Sequence, residues 1–354
     1  MEPIATNVIK IFVLSIAASV VAVVWTPALT SFLYRHKLWR KNARKKAIDG
    51  NEAVFFHKFH KEKEVERPRF GGLLIWVTTL FIALFFWFLA RLFPMQNAIQ
   101  KLNFLSRSQT WLPLFTMFAS ALLGIVDDVL QVRGKGKYIA GGLTFWQRFV
   151  IVSLIGLIGG WWFYFKLGFE TLHIPGNGDF FIGPFYVILF VIVTLACWSG
   201  GVIDGVDGLA GGAFASMFAA IGIIAFSQDK INLAAFCGVV TGAILSFLWF
   251  NIPPARFYMG ETGSLALTST LAVVAFLTDS VLVLPIIGGL LVIEAGSVIL
   301  QLLSKRFLKK KIFLSTPIHH HLEAIGWQSH KITMRFWVIG VVLAIIGVAI
   351  RLLG

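Results

Sequence analysis

Charged residues are scarce in this chain: 14% of 354 positions, where a soluble domain carries roughly a quarter. Acids are the scarcer sign, with 17 Asp and Glu against 31 Lys and Arg. Cysteine is almost missing. Cys197 and Cys237 both lie in apolar runs, which argues against a disulfide framework and against a cysteine metal site. No cleavable leader is evident, because the first apolar run, from Val8 to Leu33, is long enough to span and lacks a small-residue cleavage site. No internal repeat or composition break divides the chain, so 1–354 reads as one integral-membrane domain.

Apolar sequence is plentiful. Hydrophobic residues make up 57%, and mean hydropathy is +0.81. Ten apolar runs can be drawn, roughly 8–34, 71–93, 112–130, 144–165, 183–199, 207–226, 232–250, 263–278, 281–304 and 333–353. Runs of this length cross a bilayer as helices, since hydrocarbon satisfies no backbone polar group. The expected fold is an all-α polytopic membrane protein of about ten spans. Leu172 to Ile182, with a Gly-rich turn between apolar pairs, reads as a small external β-hairpin.

The net charge of +14 does not point to nucleic acid, because Lys and Arg collect in cytoplasmic loops of membrane proteins. Arg35 to Arg69 holds twelve basic residues, Lys305 to Arg335 seven, and Gln131 to Arg148 four. Placing the odd-numbered loops in the cytoplasm puts 24 of the 31 basic residues inside and both termini outside. The first of these loops, dense in Lys, Arg and Glu, is expected to be partly helical and to lie on anionic headgroups.

That assignment also brings every unusual polar cluster to one face. Asp127 and Asp128 end the third run; adjacent helical residues point about 100° apart, so one carboxylate can hold a metal while the other acts as base. Asp204 and Asp207 stand among Gly205, Gly208, Gly211 and Gly212. Their spacing of three suits one helical face, with Asp204 as the cap, and the glycines permit close backbone approach. From Asn251 to Ser264, Arg256 offers a phosphate partner, Tyr258 a stacking face and Glu261 a hard oxygen ligand at a helix start. Pro317-Ile-His319-His320-His321 fits contact with phosphate or sugar better than zinc, which adjacent histidines rarely ligate together. Glu294, inside an apolar run, is expected in a polar pair across helices. Carboxylates, a basic rim and histidines on one face suggest magnesium and phosphoryl transfer, which needs charge neutralisation and alignment more than covalent chemistry. A transporter would instead spread polar groups through the membrane depth.

At these residues the chain resembles the polyprenyl-phosphate N-acetylhexosamine-1-phosphate transferase superfamily, most closely its phospho-N-acetylmuramoyl-pentapeptide transferases. The likeness runs through Arg67-Pro-Arg-Phe-Gly-Gly72, Leu123 to Asp128, Asp204 to Ala210, Asn251 to Leu267, Ile293 to Gln301 and Thr316 to His321. The Pro-Ile-His-His-His stretch separates the muramoyl branch from its GlcNAc-1-phosphate relatives. The resemblance implies a bacterial plasma-membrane enzyme with its active site on the cytoplasmic face. It would be Mg²⁺-dependent, moving phospho-MurNAc-pentapeptide from UDP-MurNAc-pentapeptide to undecaprenyl phosphate and giving lipid I and UMP. Another UDP-HexNAc donor is the alternative. Its partners would be that donor, that acceptor and membrane lipid, with a homodimer left open.

By motif match, Asp127 is the candidate base for the lipid phosphate, with Asp128 beside it as base or metal ligand. Glu261 stands where the family has a magnesium-binding aspartate. Asp204 and Asp207 match the nucleotide and pyrophosphate region, Tyr258 a uracil-stacking aromatic, and His319 and His320 the histidines near the phosphates. Asn251 and His321 fall in the same substrate-binding segments, and Arg148 falls where a lysine is usual. Trp198 and Gly201 stand where the family has asparagines, and Arg67 and Arg69 replace threonines.

Overall fold

Helices form almost everywhere the apolar runs predict them. A computed structural model describes residues 3–40, 67–135 and 141–354. The expectation for the first basic loop therefore lies largely outside the described residues.

The helices are α1 (Pro3–Arg35), α2 (Leu73–Leu92), the short α3 (Asn97–Leu102), α4 (Trp111–Val132) and α5 (Phe145–Trp161), which ends in a wider π turn, Trp162–Lys166. After a hairpin of β1 (Thr171–Ile174) and β2 (Gly178–Phe181) come α6 (Phe185–Ser199) with a 3-10 turn, Gly200–Ile203, then α7 (Leu209–Ser227) and α8 (Ile231–Asn251). The chain closes with α9 (Gly260–Leu277), α10 (Leu284–Ile287), α11 (Gly289–Phe307), α12 (Ile318–Ala324) and α13 (Ser329–Leu353). The hairpin pairs antiparallel, with Thr171 opposite Phe181 and Ile174 opposite Gly178.

Nine of the helices among the described residues are long and apolar enough to cross a membrane, one fewer than the ten runs. The ninth run is the difference. The chain interrupts it at Gly288, and α11 carries Glu294, Gln301, Lys305 and Arg306. Its exposed side remains apolar: Ile299, Leu300, Leu302 and Leu303 all face outward.

The bundle is organised around α9. Every residue from Gly260 to Leu277 is buried except Glu261. A helix apolar all round belongs at the centre of a bundle. Lipid gives little hydrophobic drive between helices, so packing rests on small residues that let backbones approach. In α9 these include Gly263, Ala266, Ser269, Ala272 and Ala275. Thr268 and Thr270 turn their hydroxyls back to the Ser264 and Ala266 carbonyls (2.8 and 2.7 Å), which satisfies them inside the bundle. At the α4–α9 crossing, Gly124 lies so close to the backbone of Glu261 and Thr262 that a Cβ has no room. A glycine is required there. The crossing sets the Asp127–Asp128 turn of α4 against the first turn of α9.

Candidate active site at one end of the bundle

Asp127 and Asp128 diverge as their helical spacing requires. Asp128 is fully buried and points at the start of α9, where it accepts from the N–H groups of Glu261 (3.1 Å) and Thr262 (2.9 Å). The first amides of a helix have no partners within it and carry the positive end of its dipole, so a carboxylate from a neighbouring helix caps them well. Arg69 Nε lies 3.3 Å from the same carboxylate.

Asp127 turns the other way. Its Oδ1 accepts the Leu143 N–H (2.6 Å), and its Oδ2 accepts from Gln131 Nε2 (2.6 Å) and from the Arg148 guanidinium (2.7 Å). Arg148 reaches Glu261 Oε1 with its other terminal nitrogen, at 2.9 Å. One guanidinium thus spans two carboxylates carried on α4 and α9, a fork that a lysine cannot reproduce. Gln131 is itself oriented by the buried Arg40, which donates to Gln131 Oε1 and leaves the amide nitrogen for Asp127. Asp127, Arg148 and Glu261 line a small recess whose remaining wall is mostly apolar: Leu123, Leu143, Ile151, Val152, Trp198 and Leu265. Trp198 stands in this wall, so the position where asparagine is usual here closes the recess with a ring.

The second acidic pair is placed differently from expectation. Asp204 and Asp207 do not share a helical face, and Asp204 caps no helix. Asp204 ends the 3-10 turn, a loop follows, and α7 begins only at Leu209 behind Gly208, which adopts a left-handed φ of +78°. The glycine-rich segment breaks the helix that a spacing of three would need. Asp204 turns toward α9 and accepts the Gly260 N–H. Burial pushes its carboxyl up to about 6; Arg69 opposes the rise, Glu261 and Asp128 add to it, and the Gly260 N–H opposes it. Asp207 pairs with Arg67 (2.8 Å) and accepts the Ala255 N–H (3.2 Å).

Asn251 ties two loops together. It accepts from Gly208 N–H (3.0 Å) and donates to the Phe257 carbonyl (2.8 Å), so both ends of its amide serve the scaffold. Tyr258 is partly enclosed, its hydroxyl bonded to the Arg67 side chain; burial pushes it above the usual phenol range.

The three histidines are sorted into three roles. His319 is fully buried and its Nδ1 meets Glu294 Oε2 at 2.8 Å, the interhelical pair expected for Glu294. A carboxylate on Nδ1 holds the proton there, and Nε2 then faces Gly205 with no hydrogen-bond partner among the described residues. His320 Nδ1 meets Glu323 Oε2 (2.8 Å), and Glu323 also accepts from Ser329 (2.8 Å). His321 Nδ1 accepts the Leu314 N–H (3.2 Å), so its ring braces the preceding loop.

The structure therefore brings Asp127, Asp128, Arg148, Asp204 and Glu261 around the α4–α9 crossing, with His319 and His320 reached across Gly205. Asn251, Asp207 and His321 brace the loops that carry them. Sequence reasoning marked Arg69 only as a departure from the family motif, with no role assigned, and did not single out Gln131 or Arg40. The usable signal was charge: buried carboxylates need cations or donors, and Arg67-Pro-Arg69 immediately precedes a Gly-Gly turn that packs on Tyr258 and Met259.

A family model described as glycosyl transferase family 4 matches residues 110–279, the segment from α4 through α9. The chain is 35% identical to the phospho-N-acetylmuramoyl-pentapeptide-transferase of Geobacillus thermodenitrificans, over 97% of this chain and 98% of that one. It is 38% identical to the protein of the same name from Levilactobacillus brevis (81% and 85% covered) and 33% identical to that of Anoxybacillus flavithermus (94% and 95%).

Proposed function

Since the chain belongs to the phospho-N-acetylmuramoyl-pentapeptide-transferase family, we propose that it transfers phospho-MurNAc-pentapeptide from UDP-MurNAc-pentapeptide to undecaprenyl phosphate, giving lipid I and UMP. It is a multi-pass membrane enzyme that moves a phospho-sugar. The observation that carries the site assignment is the convergence of three carboxylates, Asp127, Asp128 and Glu261, at one helix crossing under a basic rim.

The reaction exchanges one pyrophosphate linkage for another. An acceptor phosphate oxygen bonds to the β-phosphorus of the donor, and the bond to the UMP oxygen breaks. Both reactants are anions, so the barrier is chiefly alignment and charge. Asp127, held by Arg148, Gln131 and the Leu143 N–H, is the group that takes any proton left on the lipid phosphate. Arg148 keeps Asp127 and Glu261 at a fixed separation while adding positive charge beside the incoming phosphate. His319, oriented by Glu294, turns Nε2 toward the loop of Asp204, and from there it would donate to or accept from a phosphate oxygen of the donor.

Magnesium fits this donor set. The available ligands are hard carboxylate oxygens, and Glu261 Oε2 makes no hydrogen bond among the described residues. Such an ion takes one or two carboxylates and completes its shell with phosphates and water. Glu261, with Asp128 beside it, would hold the ion, and its charge would offset that of the two phosphates. The basic-residue tally supports the cytoplasm for this face, where a soluble nucleotide-sugar can reach it.

The reading is tested by UMP release from purified protein in nanodiscs. Release is expected only when UDP-MurNAc-pentapeptide, undecaprenyl phosphate and Mg²⁺ are all present. Equal release with UDP-GlcNAc in place of the muramoyl donor would move the chain to the sibling branch.

A further inference from the structure

The segment that joins α11 to the histidine helix α12 has a chemistry the transfer reaction does not use. From Ala295 to Leu322 the sequence holds no acid, yet Lys305, Arg306, Lys309, Lys310 and Lys311 fall within seven positions. Arg306, Lys309, Lys310 and Lys311 are exposed, and none of these four makes an ion pair among the described residues. Large apolar side chains stand between and beside them in the open: Phe307 (70%), Leu308 (66%) and Ile312 (55%).

This is not a slack loop. Gln301 of α11 accepts from the N–H groups of Ile312 and Phe313 (3.0 Å each) and donates to the Phe313 carbonyl (2.9 Å). Ser304 donates to the Lys310 carbonyl at 2.9 Å. The result is a hook folded back on the end of its own helix, with cations and apolar side chains turned outward together. It continues the lipid-facing apolar side of α11, Ile299 to Leu303, past the helix end. Membrane orientation alone needs only the charges. It does not call for a pinned backbone or for bare phenylalanine and leucine among lysines. Cations interleaved with apolar groups, beginning where a membrane helix ends, match the layering of a bilayer surface, phosphate above acyl carbon.

We propose that the hook from Lys305 to Ile312 is a docking site for anionic phospholipid headgroups. Its cations hold the headgroup phosphates, and Phe307, Leu308 and Ile312 enter the interface beneath them.

A nitroxide on Leu308→Cys reports this in the full chain, since Cys197 and Cys237 are buried and do not compete for label. Its collisions with oxygen and with a water-soluble nickel complex are compared in nanodiscs of phosphatidylcholine alone and of equal parts phosphatidylcholine and phosphatidylglycerol. Anionic lipid is expected to move the label from nickel-accessible to oxygen-accessible, and high salt to reverse it. Adding Lys309→Gln, Lys310→Gln and Lys311→Gln should lower headgroup affinity on the order of 100-fold, about fivefold per lysine, and so abolish the shift. A label equally lipid-exposed in both bilayers, or an unchanged shift in the triple variant, would overturn the proposal. Neither readout depends on donor, acceptor or turnover, so failure here is separable from failure of the proposed reaction.

Discussion

Arg148 is the side chain whose loss should be felt most sharply at the site. Its two terminal nitrogens lie 2.7 Å from Asp127 and 2.9 Å from Glu261, and its side chain is 19% exposed. In Arg148→Met the aliphatic stem survives, but two carboxylates are left facing each other without their shared cation. A hydrogen bond to a charged group contributes about 1.5–3 kcal/mol. Partial exposure of Glu261 and Arg148 reduces that, so we take about 3 kcal/mol for the two bonds together, or roughly a 100-fold lower rate. Arg148→Lys keeps the charge but contacts one carboxylate at a time. It should recover about half of that free energy and run roughly tenfold below the parent. The assay is initial UMP release at saturating donor and acceptor, with thermal melting in detergent to confirm folding. If Arg148→Met turned over at the parental rate, or if lysine rescued nothing over methionine, the bridging role would be wrong.

Three further outcomes follow from the geometry. Asp204 carries a carboxyl raised from 3.8 to about 6 in the folded chain, so any stability it contributes is complete below about pH 4 and is lost as pH rises through about 6. Asp204→Asn should therefore melt higher than the parent at pH 7.5, by at most about 3 kcal/mol and less for a half-buried group, with about half of the gap left at pH 5 and none below about pH 4; a pH-independent gap would contradict this. Gly124→Ala puts a methyl into the Glu261–Thr262 backbone and should destabilise by about 1–3 kcal/mol, read as a lowered Tm. Glu294→Gln preserves shape but removes the charged acceptor that orients His319, and UMP release should fall about tenfold or more, with melting little changed; an unaffected rate would make the pair purely structural.

The helices were legible because lipid demands long apolar segments, and the predicted ends of α4 and α6 fall within two residues of the observed ones. Along the ninth run the break at Gly288 and the polar residues of α11 are hidden inside a hydrophobic average. At the site, Asp127, Asp128 and Glu261 could be picked out because charge is expensive in such sequence. Their partners could not. Gln131 and Arg40 meet across 91 positions, and Arg148 and Glu261 across 113. No local pattern records a contact at that distance. The Asp204–Asp207 spacing misled for a local reason: a three-residue interval implies one face only where the backbone is helical, and the flanking glycines release it.

The proposed reaction requires donor and acceptor phosphates to meet at the α4–α9 crossing. A cryo-electron microscopy map of the protein with UDP-MurNAc-pentapeptide and Mg²⁺ tests it most directly. Pyrophosphate density is expected between Glu261 and His319, beside Arg148 and the Asp204 loop. Pyrophosphate bound at the hairpin end, or out of reach of both Glu261 and His319, would contradict it.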